Sequence, residues 1–155
     1  LDTFLAAVES SAGSGPSKKT VAKTLRTLSK SVHGRVGKAA AATIRAERDE
    51  LTHRARKRAK RLRYAIESTR SLTPKASARA QKKFKGFQDV LGDYQDAVVA
   101  REHILAAVAE DQHSAESSLG LGMLLQRELD RGDALAADLK PEWKSAKKVA
   151  RKVWK

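Results

Sequence analysis

The chain has 155 residues, enough for one domain with a single core, and it lacks cysteine, which excludes disulfides and thiolate metal sites. Its 32 Lys and Arg residues exceed its 18 Asp and Glu residues, giving a net charge of +14. A surplus of that size repels itself in the folded state and favours a polyanionic partner, such as nucleic acid, an anionic membrane surface or a phosphate polymer.

The first part of the chain predicts a helix end, a turn and a basic amphipathic helix. Residues 1–10 are predicted to end a helix, and the Gly, Ser and Pro residues that follow predict a turn in which Ser14 is the helix cap. At about 100° per residue, one side of the segment 17–42 is apolar. That side consists of Val21, Leu25, Leu28, Val32 and Val36. The opposite side carries Lys19, Lys23, Arg26, Lys30 and His33.

The segment 46–71 repeats this amphipathic arrangement with smaller apolar residues, which allow a neighbouring helix to approach closely. Its apolar stripe consists of Leu51, Ala55, Ala59, Leu62 and Ile66. The opposite face carries His53, Arg56, Lys57, Lys60, Arg63 and Tyr64. Arg54, Arg58 and Arg61 lie on the flank between the two.

Three further helices are predicted, over 74–111, 114–131 and 133–154. Pro74 suits the first turn of the long third helix. Its stripe comprises Ala76, Ala80, Phe84, Phe87, Leu91, Tyr94 and Val98. For the last two helices we expect Met123, Trp143 and Trp154 to be packing residues.

No segment alternates with the period of a strand, so the sequence predicts an all-α fold. We expect a bundle of four to five antiparallel helices with a basic groove. It would form a single domain over 1–155, with 1–16 as helix tail and turn and 17–155 as the bundle.

The basic faces have two interpretations, a solvated surface or a binding site for a polyanion. Solvated faces usually mix charges of both signs, whereas the faces of 19–33 and 53–63 contain no acidic residue. Recurrence on several helices favours the polyanion. Nucleic acid is disfavoured, because base stacking needs aromatic side chains and Tyr64 is the only one on these faces. Inorganic polyphosphate requires only cations and hydrogen-bond donors.

Two motifs resemble the CHAD domain, the conserved histidine α-helical domain, and mainly its second half. The first is HRARKRAKRLRYAIE, which begins at His53, and the second is FQDVLGDYQDA, which begins at Phe87. Trp143 and Trp154 also lie where that family tends to end its last helix. The resemblance implies a helical bundle that binds inorganic polyphosphate through a basic central groove or pore.

The predicted polyphosphate-binding residues come from the motif and from the other basic faces. The resemblance implies binding by His53, Arg56, Lys57, Lys60 and Arg61. We extend the predicted site along the basic faces to Arg63, Tyr64, Lys19, Lys23, Arg26, Lys30, Arg79, Lys82, Lys83, Lys147 and Arg151.

The chain departs from the family pattern in one respect. The family has two similar halves, each opening with a His-x-x-Arg basic helix, and this chain shows one such helix, so we expect the N-terminal half to be absent from it. The resemblance also implies triphosphate-tunnel enzymes or polyphosphate granule proteins as partners. We expect a cytoplasmic location, including polyphosphate granules, and no membrane span, because no apolar run reaches about 18 residues.

We expect a non-enzymatic binding module without a cofactor or metal, because nucleophile, P-loop and zincin motifs are missing. Asp89, Asp93 and Asp96 share one side of a helix and are interpreted as structural carboxylates that accept hydrogen bonds from arginines of 46–71. A divalent cation on these carboxylates, and hence a metal-dependent phosphatase acting on phosphate chains, is the less favoured alternative. A basic nucleic-acid-associated protein is the other alternative.

Overall fold

The computed structural model describes residues 17–110 and 114–154, and the predicted helix tail at 1–10 therefore lies outside the described residues. Within the described ranges the chain forms four helices and no strand. They are α1 (Lys18–Ala39), α2 (Arg45–Glu67), α3 (Pro74–Val108) and α4 (Ala115–Ala150). The fold is an all-α bundle, as predicted.

Successive helices pack as antiparallel neighbours, and α1 also packs on α4. Two side-chain contacts show the antiparallel pairing of α2 with α3: Asp49 meets Arg101, and His53 meets Gln95. The same reversal relates α1 to α4, where His33 meets Trp143 and Arg26 meets Trp154. Each helix therefore lies between two others, which is the arrangement of a closed four-helix bundle.

The helix starts follow local capping chemistry. Ser17, rather than the predicted Ser14, caps α1, and its Oγ accepts a hydrogen bond from the Thr20 N–H at 3.2 Å. Pro74 opens α3 as predicted. Ser114 caps α4 through the N–H of Ser117 at 3.2 Å.

The prediction of separate fourth and fifth helices is wrong, because α4 runs without interruption through Gly132. A glycine weakens an isolated helix by about 1 kcal/mol relative to alanine, which made a break there plausible from sequence. In the bundle, however, a Cβ on Gly132 would lie only 3.2 Å from Nη1 of Arg101. The missing side chain makes room for a buried guanidinium, and tertiary packing maintains the helix.

The core contains nearly all the apolar side chains that the periodicity predicted for α1, α2 and α3, with Leu28, Leu51 and Ala76 only partly buried. Its centre is an aromatic cluster of Phe84, Phe87 and Trp143, with ring centroids 5.3 to 6.3 Å apart. Trp154 is also buried, so both tryptophans are packing residues as predicted. In α2 the fully buried Ala55 and Ala59 allow its neighbours to approach closely.

Met123 is not the core residue that the sequence predicted, since it and Leu119 are each 67% exposed. Leu125 and Leu129 of the same helix instead line a cavity with the first residues of α2, Arg45 and Ala46. Leu119 and Met123 lie on a side of α4 that no other helix of the described part covers. Periodicity marked these residues as apolar, but it could not show that their helix has no neighbour on that side.

None of the helices in the described ranges combines the length and apolar character needed to cross a membrane.

Candidate anion-binding site

A cavity of about 560 Å³ lies between α2 and α3 and is mainly cationic. We refer to it as the α2/α3 cavity. Six of its lining residues are basic: Arg56, Lys60, Arg63, Arg70, Lys82 and Lys85. Spacings of three or four residues place Arg56, Lys60 and Arg63 on one face of α2. Two carboxylates, Glu67 and Asp89, and two amides, Gln81 and Gln88, also line the cavity.

Two buried nitrogen donors of this cavity have no hydrogen-bond partner among the described residues. They are Nε of Arg63 and Nε2 of Gln81. A buried donor without an acceptor costs roughly 1–3 kcal/mol. An anionic ligand with several oxygen acceptors would offset the repulsion among the surrounding cations.

Arg63 is held in place by its neighbour Tyr64. The guanidinium carbon of Arg63 lies 4.7 Å from the centroid of the Tyr64 ring, a cation–π contact. Tyr64 is predicted as a binding residue, but it is not among the residues that line the cavity. Its contact with Arg63 restricts where that cation can lie.

The loop between α2 and α3 is fixed by three hydroxyl groups. Ser77 Oγ lies 3.0 Å from the hydroxyl oxygens of both Thr69 and Thr73. Thr69 also donates to the carbonyl of Ile66 at 2.6 Å. Because Ser77 and Thr69 are buried, this cluster sets how the start of α3 lies against the end of α2, and therefore the width of the cavity between them.

His53 lies one turn before Arg56 and contacts α3 rather than lining the cavity. Its Nδ1 is 2.9 Å from Oε1 of Gln95, and the imidazole is half-buried. An amide oxygen can only accept, so Nδ1 of His53 is the donor in this contact. The contact joins α2 to α3 beside the cavity.

The structure does not bring all the predicted basic residues to the α2/α3 cavity. Lys57 and Arg61 are exposed on the outer side of α2, and Lys23 and Lys30 are exposed on α1. Lys19 and Arg26 line a separate cavity of about 470 Å³ beside Trp154. Arg26 Nη2 donates to the Trp154 carbonyl at 3.0 Å and thereby joins α1 to the end of the chain.

Another cavity, of about 530 Å³, lies between α3 and α4, and we refer to it as the α3/α4 cavity. The predicted residues Arg79, Lys82 and Lys83 line it, together with Lys152. The predicted residues Lys147 and Arg151 are not among the residues that line it. Burial, followed by the nearby Arg151 charge, lowers the pKa of the Lys147 ammonium.

Several residues of these cavities were not predicted from the sequence, among them Arg70, Lys85 and Lys152. A positional signal existed for Lys85, which follows Lys82 by three residues and so continues a face of α3 that the predicted residues define. Arg70 and Lys152 lie beyond the ends of α2 and α4 in short turns, where helical periodicity gives no guidance.

The predicted partners of the three carboxylates are wrong. Asp89 accepts from Nζ of Lys85 at 3.0 Å on its own helix, and Asp93 lies 3.9 Å from an Arg131 nitrogen of α4. Asp96 is exposed and forms no ion pair with a described residue. Across 17–110 and 114–154, no group of three or more His, Asp or Glu side chains is arranged to hold a metal ion.

A different carboxylate, Asp49, joins α2 to α3. It accepts hydrogen bonds from Tyr94 Oη and from Nη2 of Arg101, each at 2.6 Å. Burial, together with the hydrogen bond to Asp49, raises the pKa of the Tyr94 phenol to about 12. Nearby, the hydrogen bond from Arg45 lowers the pKa of the Asp133 carboxyl. These contacts fix α2 against α3 and α4, so they support the cavity without lining it.

Comparison with known proteins identifies the family. The model of the CHAD domain family matches residues 1–105. The chain belongs to the CHAD domain family. The matched residues include both motifs and every residue that lines the α2/α3 cavity. Trp143, Trp154 and the α4 wall of the α3/α4 cavity lie outside the CHAD match.

Two curated relatives of this CHAD domain are uncharacterized proteins of Mycobacterium tuberculosis, from strains CDC 1551 / Oshkosh and H37Rv. Each is 34% identical to the chain over 105 residues, which are 68% of this chain and 19% of the relative. The match thus spans about a fifth of the length of those relatives. No solved structure matches the chain.

Proposed function

We propose that this CHAD domain binds inorganic polyphosphate in the α2/α3 cavity and that it does so without catalysis. The observation that carries the proposal is the composition of that cavity, in which six basic side chains face two carboxylates. The cavity lies wholly within the residues that match the family, and the CHAD resemblance implies polyphosphate binding.

The chemistry of the lining suits a ligand that consists only of phosphate groups. Arginine guanidinium groups make planar two-point contacts with phosphate oxygens, and lysines supply mobile point charges. Arg56 and Arg63 provide the former, and Lys60, Lys82 and Lys85 the latter. Asp89 lies within hydrogen-bonding distance of Lys85, so one of the two carboxylates is partly neutralised within the protein.

The alternative of nucleic-acid binding has weaker support from this site. Base stacking on aromatic rings contributes roughly 1–3 kcal/mol per base in single-strand binding. Tyr64 is the only aromatic residue on the predicted basic faces, and the Arg63 guanidinium already lies over its ring. The cavity itself is lined by charged and amide side chains and one alanine.

A competition assay tests the ligand. Long-chain polyphosphate and duplex DNA would compete for the protein at physiological salt. We expect polyphosphate to bind more tightly per phosphate, with a log–log salt slope of about −0.7 for each phosphate contacted. Equal affinity for DNA per phosphate would contradict the specificity, and a slope near zero would contradict the electrostatic mechanism.

Charge reversal in the cavity tests the location. Lys60→Glu is suitable because this side chain is exposed and its replacement leaves the core intact. We expect its polyphosphate affinity to fall about tenfold or more and its salt slope to become less steep by about one phosphate contact. Lys144→Glu on exposed α4 is the matched control with the same change in net charge, and it should change affinity much less. Equal losses in both variants would indicate attraction to net charge rather than a site.

Phosphate release from polyphosphate, with and without Mg²⁺, tests the proposed absence of catalysis. We expect no release above the background of a protein-free sample. Magnesium-dependent release that disappears in Asp93→Ala would instead support the metal-dependent phosphatase.

The proposal extends to the cellular setting. Following the CHAD resemblance, we propose a cytoplasmic location at polyphosphate granules, with triphosphate-tunnel enzymes or granule proteins as partners. Imaging of a tagged full-length protein in cells with and without polyphosphate tests this. The same distribution in cells with and without polyphosphate would contradict the granule location.

A further inference from the structure

The α2/α3 cavity and the α3/α4 cavity share one lining residue, Lys82. The first cavity opens between α2 and α3, and the second lies between α3 and α4. Lys82 is exposed, so its ammonium group lies at the boundary between the two cavities, on the surface of α3. A negatively charged polymer that leaves one cavity across α3 would therefore meet a cation there before it reaches the next.

The α3/α4 cavity is itself suited to anions. Four cations line it, namely Arg79, Lys82, Lys83 and Lys152, against the single described carboxylate Glu142. Gly86 has no side chain that could fill the cavity, and even a Cβ at that position would come no closer than 3.9 Å to Glu142 Oε2. With about 530 Å³, this cavity is nearly as large as the α2/α3 cavity.

We propose that a single phosphate chain occupies both cavities at once and crosses α3 at Lys82. This inference rests on the proposed function of the α2/α3 cavity. Once one end of a chain is held in the first cavity, binding of the remainder in the second becomes intramolecular, and the effective concentration of phosphate there is high. Chains too short to cross a helix, which is about 10 Å in diameter, lose this advantage.

The consequence is a chain-length threshold. Triphosphate should bind each cavity separately and weakly. A longer chain of uniform length should bind with an affinity far above that of triphosphate, even after division by the number of phosphates. The α4 wall of the second cavity lies outside the residues that match the CHAD family.

Lys83→Glu tests the inference. Lys83 is exposed, and it lines the α3/α4 cavity but not the α2/α3 cavity. Its matched control is Lys75→Glu, an exposed lysine of the same helix that lines neither cavity. Isothermal titration would give the affinities of triphosphate and of the longer chain for each variant. We expect Lys83→Glu to weaken the longer chain about tenfold or more, whereas triphosphate affinity in the α2/α3 cavity stays within about twofold.

The outcomes separate this inference from the function on which it rests. If Lys83→Glu and Lys75→Glu bind the longer chain equally well while Lys60→Glu weakens it, the two-cavity path is wrong and the α2/α3 site stands. If Lys60→Glu weakens neither ligand, the proposed function fails. If the longer chain has no advantage over triphosphate per phosphate, the inference is likewise overturned.

Discussion

Trp143 in α4 donates its indole N–H to Nδ1 of His33 in α1, across 3.1 Å. An indole nitrogen can only donate, so Nδ1 of His33 must be unprotonated and the ring proton must lie on Nε2. This is opposite to His53, whose Nδ1 donates to Gln95. The two histidines therefore use Nδ1 in opposite roles, as an acceptor in His33 and as a donor in His53.

The first prediction concerns the packing of α1 on α4. His33→Ala removes the acceptor of this bond and leaves the indole donor of the buried Trp143 unpaired, which costs roughly 1–3 kcal/mol. In a Trp154→Phe background, where Trp143 is the remaining tryptophan, the fluorescence emission of Trp143 should shift in His33→Ala. His33→Gln retains an acceptor and should shift the emission much less. Equal emission in His33→Ala and in the parent protein would contradict a bond between the two side chains.

The second prediction concerns the contact of His53 with Gln95, which joins α2 to α3 one turn before Arg56. His53→Ala removes this contact beside the α2/α3 cavity and should weaken polyphosphate binding. His103 is exposed near the far end of α3, and His103→Ala is the control that should preserve the affinity. An unchanged affinity in His53→Ala would count against a role for this residue.

The third prediction concerns the buried ion pair between Asp49 and Arg101. Arg101 is only 5% exposed, and without Asp49 its charge would be buried and unpaired. Asp49→Ala should therefore lower the free energy of unfolding by roughly 3 kcal/mol. Glu50→Ala removes the exposed pair with Arg54 and should cost less than about 0.5 kcal/mol.

A second substitution checks the reason for that loss. In Asp49→Ala combined with Arg101→Met, no buried charge is left unpaired, so the double variant should be more stable than Asp49→Ala alone. Urea denaturation of the parent protein, the two single variants and the double variant measures the four free energies of unfolding. Additive losses would show that the two residues act independently.

The fourth prediction concerns alkaline stability. The pKa of Tyr94 rises from 10.0 to about 12 on folding. The unfolded chain therefore releases the phenol proton first, and the free energy of unfolding should fall as the pH rises from about 10 towards 12. Tyr94→Phe removes this contribution and should give a flatter profile. Tyr64→Phe should keep the full decline, because Tyr64 is 43% exposed. Identical profiles in the two variants would exclude Tyr94 as the cause.

Helical periodicity was enough to predict the helical class and most of the core from the sequence. Spacings of three and four residues placed Leu25, Leu62 and Phe84 on the inner sides of their helices, and all three are buried. This worked because a helix repeats every 3.6 residues whatever it packs against. The basic motif and its companion also indicated the family, which the match over residues 1–105 confirms.

Which basic residues share a cavity depends on the packing of the helices against one another and could not be predicted from the sequence. Periodicity orders side chains around a single helix, but it does not fix which neighbour each side faces. Arg63 and Lys82 therefore meet in one cavity, whereas Arg26 turns to the Trp154 carbonyl elsewhere. The same limit explains Met123, which is apolar and lies on a side of α4 that no other described helix covers. Gly132 is a further example. The close approach of Arg101 explains why a glycine lies inside a continuous helix, and this contact could not be predicted from periodicity.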